Sequence, residues 1–128
     1  VGLPISELRR LKLSARKAEY VIGIAKSALD TINGINTYKD LCDDAFFERC
    51  ITLRGIGSWT ANWVMMNGLG RFNGFPNGDL ALQRIISESY FNGTLQNAQA
   101  IELFSKRWSP WRTYATIYIF AASRAKIL

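Results

Sequence analysis

Helical spacing dominates the apolar patterns of this chain, and no segment sustains the alternation of a strand. That one feature confines the fold to the all-α class, a bundle of helices in a single domain over residues 1–128. Ser14 can cap a helix running to about Leu29, with Ala18, Val21, Ile22, Ala25 and Leu29 on one face. Asn33-Gly34 should break it. Thr37 with Asp40 has the spacing of a capping box for a short helix. Asp43 or Asp44 opens the next, directing Phe46, Phe47, Cys50 and Ile51 inward. Beyond the glycines at 55 and 57, Ser58 can cap a helix to about Asn67. Four glycines and a proline then mark Gly68 to Gly78 as a loop. Further helices are expected from Asp79 to Tyr90 and from Asn97 to Arg107, with a turn at Asn92-Gly93 between them. Ser109 reads as a cap with Pro110 at the first helical position. The last helix, to about Lys126, is apolar nearly all round and should be largely buried.

The glycine pair in Leu53-Arg54-Gly55-Ile56-Gly57 sits between two helical patterns. Glycine admits dihedrals closed to residues with a Cβ and lets another backbone come close. The helix that follows begins with unpaired N–H groups and the positive end of its dipole, a setting suited to a phosphate. Contacts of that kind grip a nucleic-acid backbone without reading its sequence. The plainer reading is an ordinary tight turn between helices.

Charge bears on that choice. Sixteen Lys and Arg against ten Asp and Glu give a net charge of +6, which favours polyanionic partners, nucleic acid first. The chain has no histidine, which removes His-based nucleophile activation, His-ligated zinc and any histidine general base. Cys42 and Cys50, eight residues apart, make neither a disulfide framework nor a four-ligand metal site and read as buried, reduced intracellular thiols. No apolar run approaches the roughly 18 residues of a membrane span. Val1 stands where a translated chain has Met, so the natural start is expected upstream.

Leu53-Arg54-Gly55-Ile56-Gly57-Ser58-Trp59-Thr60-Ala61 resembles the hairpin of the helix-hairpin-helix DNA glycosylases. Phe75-Pro76-Asn77-Gly78-Asp79-Leu80 resembles the loop by which that family brings an aspartate to the target nucleotide. Trp108-Ser109-Pro110-Trp111-Arg112-Thr113-Tyr114-Ala115 is similar to the start of a C-terminal helix in the 3-methyladenine DNA glycosylase II branch, and Leu13-Ser14-Ala15-Arg16-Lys17-Ala18 also fits. A lone hairpin is a weak signal, whereas these segments in this order are specific. Family members carry several helices ahead of the Leu13 segment, where only about a dozen residues stand here. The resemblance therefore implies the C-terminal part of a longer enzyme, whose remainder would supply a cleft wall and the side chain that fills the gap left by an extruded base.

The resemblance implies a hydrolase of base excision repair that removes alkylated, 3-methyladenine-like bases. Breaking an N-glycosidic bond develops positive charge on the sugar, which a nearby carboxylate can stabilise while it orients water. Asp79 is the candidate, though an Asp there is also what a helix N-cap requires. A cationic, flat base suits an aromatic pocket. By resemblance Trp59, Trp63 and Phe120 border it; their plain alternative is a core stripe. In family members that also cut the strand, a lysine matches Trp59 and attacks the sugar. Tryptophan cannot, so a monofunctional enzyme is expected. Arg54, Gly55, Gly57 and Ser58 are the candidate DNA contacts, with Arg16, Lys17 and Arg112 as further phosphate contacts or solvated charges. Arg84 reads as a structural ion pair. By resemblance the carbonyls of Ile51, Leu53 and Ile56 could hold a monovalent cation. The cysteines do not match the four-cysteine run of the iron–sulfur members, so no cofactor is expected. The implied partner is duplex DNA carrying a damaged base, bound by a monomer away from membranes. The alternatives are a non-catalytic helix-hairpin-helix DNA-binding module and, more weakly, a helical protein-interaction domain.

Overall fold

The computed structural model describes residues 2, 4–29 and 35–128, all of them helix, turn or loop with no strand. The break expected at Asn33-Gly34 lies outside the described residues. The chain forms two compact units, residues 1–57 and 58–128.

The first unit holds α1 (Ile5–Arg10), α2 (Ala15–Leu29), a 3-10 segment (Ile35–Asp40) and α3 (Asp43–Ile51). Ser14 does open α2: its Oγ accepts the Lys17 N–H at 3.3 Å. Of the expected inner face of α2 only Ala18 is fully buried, while Val21 and Leu29 are exposed. Thr37 and Asp40 fall inside and at the end of the 3-10 segment and not at the start of a helix. Phe46 and Cys50 of α3 turn inward and Tyr38 packs edge-on against Phe46, but Ile51, on the last turn, faces solvent, and Cys42, the residue before α3, is exposed and not buried as expected.

The second unit holds α4 (Ser58–Trp63), α5 (Leu80–Tyr90), α6 (Ala98–Ser105) and α7 (Arg112–Arg124). The helix expected to reach Asn67 is α-helical only to Trp63 and widens into a π-helical turn over Val64–Gly68. Such turns are rare and concentrate at functional positions. Ser58 is the first helical residue, not the residue before it. Asp79 and Asn97 cap α5 and α6 with their side chains. Ser109 and Pro110, joined by a cis peptide bond, precede α7 by two residues, so the N-cap is Trp111.

The core of this unit is Phe75, Leu82, Ile86, Ile101 and Ile119, with Phe104, Trp108 and Phe120 packed against it. The loop contributes Phe75 at 1 % exposure, which fastens the loop into the core. Contrary to expectation, α7 is not largely buried: only Thr113, Thr116 and Ile119 are, while Tyr114, Ile117 and Tyr118 stand in solvent. Two of its three buried residues are threonines with satisfied hydroxyls, Thr113 bonding to Arg71 and Gly74 carbonyls and Thr116 to the Arg112 carbonyl. Apolar content all round a helix did not reveal which face packs.

Candidate active site and DNA-binding elements

Asp79 stands where the loop becomes α5, and its carboxylate is engaged at both oxygens. Oδ1 accepts the Ala81 and Leu82 N–H groups at 3.0 and 3.1 Å, the geometry of an N-cap. Oδ2 accepts the Trp59 indole N–H at 2.7 Å. The cap reading and the site reading thus hold different oxygens of one carboxylate.

Trp59 is 48 % exposed, and its ring lies 5.8 Å from that of Trp63. Trp63 in turn lies 6.2 Å from Phe120 of α7 at an interplanar angle of 32°. Both separations fall within the contact range of aromatic pairs. The structure therefore brings Asp79, Trp59, Trp63 and Phe120 into one contiguous run. Trp63 Nε1 is buried with no hydrogen-bond partner among the described residues.

Side chains around this run, most of which the sequence assigned no role, tie its elements together. Asn62, three residues after Trp59, accepts the Phe75 N–H through Oδ1 at 2.9 Å and donates through Nδ2 to the Ser58 carbonyl at 3.0 Å. Asn73 Oδ1 accepts Arg112 Nε at 2.8 Å, and Arg112 Nη1 bonds Glu102 Oε1 at 2.6 Å. Gln83 Nε2 donates to the Asn77 carbonyl at 2.7 Å, and the Asp79 N–H closes onto the Pro76 carbonyl at 2.8 Å. Gly74 lies so close to Met66 that a Cβ there would sit 2.7 Å from its Cγ. The one sequence signal was Asn62 itself, a poor helix former inside a helix, which is placed there at a cost unless its amide bonds to something. Arg112, with its side chain 18 % exposed and its Nε and Nη1 both hydrogen-bonded within the protein, is a structural residue here and not a solvated charge. Arg84 is exposed, and no ion pair is found for it among the described residues.

In the first unit, Gly55 has φ +98°, and a Cβ there would overlap the Tyr20 ring. Gly57 has neither constraint: its φ is not in the left-handed region, and no described atom lies within 4 Å of a Cβ built on it. The expectation that both glycines use dihedrals closed to other residues holds only for Gly55. Arg54 reaches Glu19 at 3.6 Å, and its guanidinium lies 5.7 Å from the Tyr20 ring centroid. The Leu53 carbonyl accepts the Ile56 N–H at 2.9 Å, so one of the three candidate cation ligands already closes the turn. No group of three or more His, Cys, Asp or Glu able to hold a metal occurs among the described residues. No described helix is long and apolar enough to cross a membrane.

A glycine hairpin, an aspartate at a loop-to-helix junction with an aromatic run beside it, and an all-helical frame are the features that the resemblance to helix-hairpin-helix DNA glycosylases led one to expect. Comparison with known proteins finds DNA glycosylases similar to nearly the whole of this chain. The putative DNA-3-methyladenine glycosylase YfjP of Bacillus subtilis is 33 % identical over 118 residues, covering 92 % of this chain and 41 % of that protein. The DNA-3-methyladenine glycosylase of the same organism is 33 % identical over 116 residues, 90 % of this chain and 38 % of its own length. The solved 3-methyladenine DNA-glycosylase of Archaeoglobus fulgidus superposes with a TM-score of 0.80 at 32 % identity, over 94 % of this chain and 40 % of that one. No family model matches. The chain thus spans about two fifths of the length of these relatives.

Proposed function

We propose that this chain carries the catalytic carboxylate and base pocket of a DNA glycosylase that removes alkylated bases from duplex DNA by hydrolysis. The observation that carries this reading is the Asp79 carboxylate, fixed at Oδ1 by two helix amides and at Oδ2 by the Trp59 indole at 2.7 Å, beside the run of Trp59, Trp63 and Phe120.

In the proposed reaction the damaged nucleotide leaves the helical stack and its base enters among the aromatic rings. The glycosidic C–N bond breaks with its electron pair going to the base. An alkylated purine that was cationic departs neutral and needs no general acid. Positive charge builds on the deoxyribose, and the Asp79 carboxylate, held against rotation, stabilises it without having to reorganise. Water adds to the anomeric carbon, and its proton passes by way of the carboxylate to solvent, leaving an abasic sugar. Trp59 occupies the position where strand-cutting relatives would need an amine, so the reaction stops there. Arg54, Gly55, Gly57 and Ser58 would hold the DNA backbone. A monovalent cation shared with a phosphate could sit at the Ile51, Leu53 and Ile56 carbonyls. One copy of the protein suffices for this chemistry.

The test is base release from methylated duplex DNA by the full-length protein and by its Asp79→Asn variant. The amide keeps an oxygen for the cap, so the fold should survive. We expect release to fall by about a hundredfold or more while affinity for the duplex stays within a few-fold. A second reading is favoured by the cap bonds alone: in a non-catalytic DNA-binding module Asp79 would do no more than start α5. Salt-dependent DNA binding with no base release from either protein would select that module. Equal release from both would remove Asp79 from the chemistry.

A further inference from the structure

The first unit places an unusual run of charge at the turn between α1 and α2. Arg9, Arg10, Lys12, Arg16 and Lys17 fall within nine residues, and no acidic residue occurs from Leu8 to Ala18. All five are exposed. Arg10 pairs with Glu7 at 3.1 Å, whereas Arg9, Lys12, Arg16 and Lys17 have no ion-pair partner among the described residues.

Two of these cations stand against local physics. Arg16 and Lys17 occupy the first turn of α2, which contains no acidic residue. The positive end of a helix dipole disfavours cations there and favours Asp or Glu. A sequence that breaks a local rule with no structural compensation does so most often at a functional position. An arriving anion would convert this repulsion into attraction.

The geometry of α2 connects the run to the hairpin. Arg16 and Tyr20 are four residues apart, so they are neighbours on one helical face, about 6 Å apart along the axis. The Tyr20 ring is the surface on which Gly55 rests and over which Arg54 lies. Hairpin and basic turn therefore share one face of α2 inside one compact unit. Glu19, on the neighbouring face, is engaged with Arg54.

We propose that the segment Arg9–Lys17 is a second phosphate-binding surface, continuous with the hairpin along α2, which extends the grip on the DNA backbone by two to three phosphates. The proposal rests on the DNA-binding part of the reading above and is independent of the role of Asp79. Like the hairpin contacts, it fixes the protein on the duplex without selecting sequence.

The experiment measures binding of the full chain to an undamaged duplex from about 50 to 200 mM salt. Its variants are Arg9→Gln/Arg16→Gln/Lys17→Gln and, as a control for net charge, Lys26→Gln at the far end of α2. Removing one cation that neutralises a phosphate should reduce the slope of log K against log salt by about 0.9. The triple variant should thus drop by about 2 to 3 in slope and bind at least about tenfold more weakly at low salt, while Lys26→Gln changes the slope by less than about 0.5. The same triple variant should melt a few degrees higher, because two cations have left the positive end of a helix. Weaker binding with greater stability separates a missing grip on phosphate from a damaged fold. An unchanged slope, or an equal loss per charge in Lys26→Gln, would overturn the proposal. Absence of any salt-dependent DNA binding by the unaltered chain would reject the DNA reading itself.

Discussion

Two glycines one residue apart do different things. Gly55 is left-handed at φ +98° and has Tyr20 against its missing side chain, so an added methyl meets both backbone strain and overlap. Gly55→Ala should therefore destabilise the first unit by at least about 2 kcal/mol. Gly57→Ala meets neither obstacle and should stay within about 0.5 kcal/mol of the unaltered chain. Thermal or urea unfolding of the two variants checks this, and equal losses would show that the asymmetry is wrong. If a DNA strand approaches the backbone at Gly57, Gly57→Ala weakens DNA binding without weakening the fold. The sequence made the hairpin legible through the pair, but it did not show which glycine the fold requires. That depends on the Tyr20 ring, thirty-five residues earlier in the chain.

Among the elements, α4 and the loop before α5 act as one piece. They are joined at two points, Trp59 to Asp79 and Asn62 to the Phe75 N–H, and the segment between these loop positions is closed by the Asn77–Phe75 and Asp79–Pro76 backbone bonds. Removing the Asn62 side chain leaves the Phe75 N–H without its acceptor beside a buried ring, a loss of about 1–3 kcal/mol. Asn62→Ala should show that loss in chemical denaturation and should speed exchange of the Phe75 amide and the Trp59 indole proton. Asn62→Asp restores an oxygen at the same place and should recover the Phe75 amide protection. Fast exchange at Phe75 with a slow Trp59 indole in Asn62→Ala would mean the two points are not coupled. The elements themselves were readable: periodicity located α2, α3, α5 and α6, and Asp79 and Asn97 were recognisable as their boundaries because short polar side chains satisfy helix amides. The ties between elements were not. A side chain bonding to a backbone group thirteen residues away, as Asn62 does, leaves no periodic trace, and neither does the Arg112–Asn73 bond across thirty-nine. The same limit explains α7, whose apolar residues outnumber the positions that its neighbours cover.

Over the whole molecule, burial is divided unequally between the two units. α2 has fifteen residues and one buried side chain, Ala18, and α1 has none. α5 buries Leu82, Ile86 and Ser87 in eleven residues, and α7 adds Thr113, Thr116 and Ile119. Ser87 and Thr113 also accept or donate hydrogen bonds to distant backbone groups, Gln96 N–H and the Arg71 and Gly74 carbonyls, which cross-link that core. Local opening costs what the opened segment loses in buried apolar contact and hydrogen bonding, so the two units should not open at one free energy. Native-state hydrogen exchange should find the amides of Leu82, Ile86 and Ile119 slowest. Those of α1 and the outer face of α2 should exchange faster by at least about a hundredfold, through openings smaller than global unfolding. The difference has a bearing on the proposed division of labour. A site that must hold a carboxylate and aromatic rings in register belongs on the stiffer frame, whereas a surface that clasps a phosphate backbone of variable shape can sit on the softer one. If α2 amides prove as protected as those of α5, the first unit draws stability from contacts other than its own buried side chains, and this assignment of rigid and yielding parts fails.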